Sequence, residues 1–204
     1  MSRVTSIEEL SNLKSKIETE RKFTKQVLIC GGTGCISSGS NEIADKMTER
    51  VKAAGKENEI RVIKTGCFGF CEKGPIVKML PDNTFYTEVT PEDADRLVET
   101  HLLKEEKIEE LLYVDPVTKN KISDSDHMDF YKKQERVALR NCGVIDPENI
   151  EDYLLYDGYT ALDKVLKMSQ QEVVDIMKDS GLSGRGGGGF PTGLKWQFAL
   201  NNVS

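Results

Sequence analysis

The sequence predicts an α/β chain in two parts: a small domain of strands and helices over residues 22–104, then a polar linker and a mostly helical second part over residues 129–204. Three observations predict it. Short β-prone runs alternate with capped amphipathic stretches between Lys25 and Leu102. Four cysteines fall in two glycine-lined loops that follow two of those runs, and beyond residue 129 there are only helical patterns and one glycine-rich run. A chain of 204 residues accommodates one ordinary domain or two small ones, each with a modest core.

The first helix is expected from Ile7 to Arg21, within an N-terminal segment 1–21. Ser6 and Glu9 form a capping-box pattern, and Ile7, Leu10, Leu13 and Ile17 recur on one face. A β-prone run from Lys25 to Ile29 leads into CGGTGC, and a helical pattern from Asn41 to Ala54 stops at Gly55. A second strand, Ile60 to Lys64, leads into TGCFGFCEKGP. Strands over Ile76 to Leu80 and Thr84 to Val89, joined by Pro81-Asp82-Asn83, read as a hairpin. Thr90 as N-cap, Pro91 as first helical residue and Asp93 at the capping-box position open a helix to Leu102, giving the order βαβββα, which contains the minimal βαββα layout.

The stretch Lys104–Asp129 contains KEEKIEE, a break at Pro116 and TKNKISDSD, too polar to build a core of its own, and residues 105–128 are expected to be a linker. Helical patterns resume over Asp152–Lys167 and over Gln170–Asp179, the second capped by Ser169 with Glu172. SGLSGRGGGGFPTGLKW follows and opens another helix near Thr192. The chain stops at Ser204 inside that pattern, which reads as a piece of something longer.

Net charge is −6 with both signs interleaved, so no basic stripe exists for a nucleic acid. Apolar stretches such as Val27–Ile29 are far too short to span a membrane, and MSRVTSIEEL lacks the apolar core of a secretory signal. A cytoplasmic protein is expected. In that reducing compartment five cysteines point to a metal or redox site before a disulfide framework.

Cys30 and Cys35 are separated by four residues, Cys67 and Cys71 by three, with 31 between the pairs. Loops at the ends of two neighbouring strands can bring four thiolates together, and Gly31, Gly32, Gly34, Gly66, Gly69 and Gly74 let backbone amides approach sulfur, which raises a reduction potential. Soft sulfur ligands suit an iron-sulfur cluster, zinc or copper(I). A structural zinc site, a thiol redox pair and buried free thiols are the alternatives. Cys142, alone in LRNCG, reads as a small core residue.

The run GRGGGG satisfies GxGxxG at Gly184, Gly186 and Gly189, but it follows a helix rather than a strand and lacks the Gly-Lys-Ser/Thr of a Walker loop. Two readings remain: a glycine hinge, or an amide-rich loop before a helix N-terminus that attracts phosphate, with Arg185 and Lys195 adding positive charge.

CGGTGC followed by CFGFC resembles the thioredoxin-like 2Fe-2S ferredoxins, including the 24-kDa-type subunit of respiratory complex I, over about residues 22–104. Residues 129–204, with SGLSGRGGGGFPTGLKW, resemble the start of the flavin-bearing 51-kDa-type subunit, whose usual form has alanine at Gly188 and arginine at Ser183. The two in this order resemble the B subunits of electron-bifurcating, NAD-dependent iron-iron hydrogenases, with relatives in NADP-reducing hydrogenases and NAD-linked formate dehydrogenases.

The resemblance implies a thioredoxin-like ferredoxin domain, a linker and the start of an FMN/NADH-binding domain. It implies a 2Fe-2S cluster on Cys30, Cys35, Cys67 and Cys71. FMN and NAD(H) would lie against Gly184, Arg185, Gly186, Gly187, Gly188, Gly189 and Lys195, with Phe190 and Phe198 as stacking faces. It also implies 4Fe-4S clusters in a further C-terminal part, and as partners a hydrogenase-type catalytic subunit, a small 2Fe-2S subunit and ferredoxin. No side chain is expected to be catalytic in its own right, because the cofactors carry the electrons. A free-standing ferredoxin module, a subunit of a formate or NADH dehydrogenase, and a zinc-stabilised interaction domain are the other readings.

Overall fold

The computed structural model describes Val4 and residues 6–202. The outermost ends of the expected segments 1–21 and 129–204 therefore lie outside the described residues. Two compact units are present: Ser11–Tyr156, and the described part of Met1–Leu10 with that of Asp157–Ser204. No helix among the described residues is long and apolar enough to cross a membrane.

Helix α1 (Ile7–Glu20) starts where the capping pattern places it, with the Glu9 amide donating to Ser6 Oγ at 3.1 Å. Of its apolar positions Ile17 is buried and Ile7 is exposed. Strand β1 (Lys25–Cys30) is followed by a short helix α2 (Thr33–Ser37), absent from the sequence reading, and by α3 (Ser40–Ala53). Strands β2 (Ile60–Thr65), β3 (Val77–Leu80) and β4 (Thr84–Tyr86) complete a sheet of order β2-β1-β3-β4, with β2 parallel and β3 antiparallel to β1. The helix expected from Thr90 opens as a 3-10 turn whose capping box pairs Thr90 with Asp93, continues as α4 (Ala94–Arg96), and widens to π-helical geometry over Leu97–Leu103.

Central β1 is apolar on both faces. Val27 and Ile29 pack with Ile43, Met47 and Leu97, whereas Leu28 and Cys30 pack with Phe68, Phe85, Tyr113 and Met128. The second face thus needs its own cover, and the segment expected as a linker supplies it. Residues 105–128 form a small hairpin, β5 (Tyr113–Val114) with β6 (Lys121–Ile122), and fully bury Ile108 and Met128. The first unit then runs on through α5 (Asp129–Lys132) and α6 (Ile150–Leu155) to Tyr156. The linker expectation is corrected: Tyr113 and Met128, with half-buried Ile122, cover the second face, while Ile108 and Leu112 join the cluster of Val27 and Ile29 on the first.

The second unit contains α7 (Thr160–Leu166), α8 (Gln170–Asp179) and α9 (Thr192–Asn201). The helix expected over Asp152–Lys167 is broken into α6 and α7, because Asp157 and Tyr159 both take φ of 64°, outside any right-handed helix. Ser169 and Glu172 cap α8 reciprocally.

Beside the π-helical turn lies a buried polar relay. Tyr86 OH accepts from the Ile108 amide at 3.1 Å, so its hydrogen is free for His101 Nδ1 at 2.6 Å, while His101 Nε2 faces Asp82 at 3.5 Å. Burial holds the His101 pKa below the ordinary value and outweighs the opposing attraction of Asp82; Lys107 and Lys25 also lower it. With the folded value depressed, the unfolded chain binds the proton more readily. The stability that His101 contributes is full above about pH 6.5 and is lost as pH falls through the folded pKa. Thermal midpoints are therefore expected to fall between pH 7.5 and 5, and less steeply in His101→Gln. Parallel curves for the two proteins would remove His101 from the account.

Candidate metal centre

Parallel pairing of β1 and β2 sets Cys30 opposite Thr65, so the loops leaving both strands emerge side by side at one sheet end. They are tied there by the Gly31 amide donating to Thr65 O at 2.8 Å. A Cβ on Gly31 would stand 2.6 Å from that oxygen, so the approach requires glycine. Cys30 ends β1 and Cys35 lies within α2, both buried. Cys67 follows β2 half-buried, and Cys71 opens the 3-10 turn Cys71–Lys73, exposed.

The thiols lie as two pairs. Burial first, then the neighbouring Cys30 thiol, pushes the Cys35 thiol up to about 12, and the charge on Cys67 is the main cause raising Cys71. Among the described residues no three His, Cys, Asp or Glu side chains converge as a single-ion site requires. A two-iron centre takes two thiolates on each iron, so neighbouring pairs are the arrangement it calls for. Gly32 stands between the pairs: a Cβ there would lie 3.0 Å from Cys67 Sγ and 3.5 Å from Cys30 Sγ. At Gly74 a Cβ would meet Cys35 Sγ at 2.6 Å. The sulfurs thus sit in a cradle without room for side chains, and the Gly69 amide donates to Cys67 Sγ at 3.2 Å. A soft metal would hold Cys35 and Cys71 as thiolates, its positive charge offsetting the burial and neighbouring sulfur that raise them.

Cys142, expected as a small core residue, is half-buried and packs on the cysteine loop, its Sγ 3.3 Å from where a Cβ of Gly66 would stand. Tyr131 and Arg136, which the sequence reading did not single out, both donate to the Phe68 carbonyl within CFGFC. Nothing in their spacing marks them, since the partner is a backbone oxygen more than sixty residues away.

In the second unit, Gly184–Gly189 form a loop closed at its base, where the Gly184 amide donates to Phe190 O and the Thr192 amide to Leu182 O, both at 2.8 Å. Gly187 (φ 103°) and Gly189 (φ 58°) take left-handed conformations, and Cβ positions at Gly186, Gly187, Gly188 and Gly189 meet nothing within 4 Å. Arg185 lies in this open turn. Lys195 is in the first turn of α9, whose N-cap Pro191 offers no side-chain cap, and the Phe190 and Phe198 rings are 6.5 Å apart. Ser183 is bridged to Pro191 at the loop base.

A family model, thioredoxin-like 2Fe-2S ferredoxin, matches residues 3–102. The 2Fe-2S ferredoxin of Clostridium pasteurianum is 36% identical over 77 residues, covering 38% of this chain and 76% of that protein. The HndC subunit of the NADP-reducing hydrogenase of Solidesulfovibrio fructosivorans is 63% identical over 71 residues, 35% of this chain and 14% of the relative. The F-type subunit of the NADH-quinone oxidoreductase of Aquifex aeolicus (strain VF5) is 54% identical over 54 residues, 26% of this chain and 13% of the relative. The chain thus spans only a small part of the length of these two larger proteins.

Proposed function

The chain belongs, through residues 3–102, to the thioredoxin-like 2Fe-2S ferredoxin family, and from that premise we propose that it is the electron-relay portion of a subunit in an NAD(P)-linked oxidoreductase complex of the hydrogenase or NADH dehydrogenase type. Cys30, Cys35, Cys67 and Cys71 hold the cluster in this reading. The observation that carries it is the pair of thiol pairs flanking Gly32, with Gly74 and Gly32 leaving space only for sulfur and what sulfur binds. When bound, the cluster exchanges one electron at a time, and a flavin would join that to the hydride of a nicotinamide. This chain's own part is to hold the cluster, to exclude water with Phe68 and Tyr113, and to aim the Gly69 amide at Cys67.

The second unit is proposed to receive the phosphate of FMN or NAD(H) on the open amides of Gly184–Gly189, aided by Arg185 and Lys195, with Phe190 and Phe198 as apolar faces. Left-handed Gly187 and unobstructed Cβ positions support it. In its finest form the proposal is the B-type subunit of an electron-bifurcating hydrogenase, cytoplasmic, working with a catalytic subunit, a small 2Fe-2S subunit and ferredoxin, and bearing 4Fe-4S clusters in further sequence.

The test is metal content. The purified chain is expected to carry iron and acid-labile sulfide in equal amounts and to give a rhombic EPR signal on reduction. Stoichiometric zinc without sulfide would overturn the reading. Cys67→Ser and Cys71→Ser are each expected to lose most of the cluster, whereas Cys142→Ser keeps it; loss in the last variant would mean that the ligands are misassigned.

A further inference from the structure

The peptide plane joining Phe68 to Gly69 is held at both ends. Its N–H donates to Cys67 Sγ at 3.2 Å, and its carbonyl accepts from Tyr131 OH at 3.1 Å and from Arg136 Nη2. Arg136 is itself fixed. Its Nη1 donates to Cys142 O at 3.4 Å, and its guanidinium carbon stands 5.2 Å from the centre of the Tyr131 ring. The segment bearing Cys142 is seated by Gly143, at φ 79°, where a Cβ would come within 2.7 Å of the Phe68 ring.

In a trans peptide the carbonyl and the N–H point in opposite directions, so gripping the oxygen fixes where the hydrogen points. Gly69, at φ 81°, lets the plane take this orientation, and a Cβ there would lie 3.1 Å from Arg136 Nη2. A cation on the oxygen also polarises the amide and makes its N–H a stronger donor. A donor on sulfur favours the reduced, more negative state of a cluster over the oxidised one. The guanidinium charge acts in the same direction.

We propose that Arg136 and Tyr131 are positioning residues that hold the Phe68–Gly69 amide on Cys67 Sγ and thereby raise the reduction potential of the centre. The inference rests on the reading of the four cysteines as cluster ligands. Both residues lie beyond the 3–102 match, in the extension that covers the second face of the sheet. The extension then does more than cover apolar surface: it sets the energy at which the relay accepts an electron.

The experiment is an EPR-monitored redox titration of the whole chain, with iron content and thermal midpoint measured alongside. Arg136→Gln is expected to lower the ratio of reduced to oxidised centre at the wild-type midpoint about tenfold, the scale of one hydrogen bond, which for a one-electron couple is a fall of about 59 mV. Tyr131→Phe, which keeps the ring, gives a smaller fall in the same direction. Arg136→Lys, which keeps the charge, recovers part of the loss. Midpoints equal to wild type in variants that hold their cluster overturn the proposal, whatever happens to stability. If Arg136→Gln does not load, Tyr131→Phe decides alone. A wild-type chain without iron and sulfide would overturn the underlying ligand assignment instead, before any variant is made.

Discussion

Replacing Gly74 by alanine is expected to strip most of the iron from the centre while leaving the sheet folded. The added Cβ would stand 2.6 Å from Cys35 Sγ, closer than any real contact allows, while the Cys71 carbonyl at 3.5 Å is in ordinary contact, so the clash falls on one of the four proposed ligands. Gly74 has an ordinary φ of −77°, so the effect is one of space rather than of backbone strain. Cys35 is buried and cannot swing into solvent to make room. Overpacking of this kind costs about 1 to 3 kcal/mol, and if it falls on the loaded state the cluster is retained roughly 5- to 150-fold less well. Gly32→Ala should be milder, because its nearest contact is 3.0 Å, and Gly34→Ala should be neutral or slightly stabilising, since nothing lies within 4 Å and the site is inside α2. Iron and sulfide per chain, with far-UV circular dichroism as the control for folding, give the comparison. Full iron content in Gly74→Ala would show that Cys35 can shift freely and that the cradle is not fitted to its contents.

What could be read from the sequence was what is decided locally. The Thr90–Asp93 and Ser169–Glu172 boxes form as their spacing demands, because a cap is satisfied within one turn. The hairpin about Pro81-Asp82-Asn83 follows from its turn residues; Asn83 takes φ of 58°, and Asp82 accepts from the Thr84 amide at 3.4 Å. The thiol pairs could be read because loop, glycine and cysteine occur together. The cover of the second sheet face could not. Residues 105–128 are polar on average, and their few anchors have no period. The available signal lay elsewhere, in Val27, Leu28 and Ile29: three consecutive apolar residues in a strand oblige both faces to be buried, and the helices of the first 104 residues serve only one. Arg136 and Tyr131 were hidden for a different reason. A contact made to a backbone oxygen leaves no trace in the identity of its partner.

Loss of the Asp152 carboxylate is expected to loosen the same extension from its far end. Asp152 lies in α6 with its side chain 3% exposed, and it gathers two cations: Arg61 Nη1 at 2.9 Å and Arg21 Nη2 at 2.5 Å. Its other oxygen accepts from the Asp146 amide at 2.8 Å. Burial alone would raise the carboxyl pKa, but the Asp146 amide, Arg61 and Arg21 together outweigh it and hold the value below the ordinary range. Asp152→Ala leaves two guanidinium groups, only 13% and 22% exposed, with the more distant carboxylates of Asp146 at 3.8 Å from Arg61 and Glu151 at 3.7 Å from Arg21. Breaking a fully buried pair costs about 3 to 5 kcal/mol, and the residual exposure of the arginines puts this one near the low end, about 3 kcal/mol. Asp152→Asn, which keeps the shape and one acceptor, should lose less. Because the folded pKa is depressed, the stabilisation is full above about pH 3.8 and fades as pH falls through the folded value. Urea unfolding at pH 7 should therefore separate wild type from Asp152→Ala clearly, and the gap should narrow below pH 3.5. A difference under about 0.5 kcal/mol at pH 7, the range of an ordinary surface substitution, would show that the arginines find water or other partners without cost and that the extension is held by its apolar anchors alone.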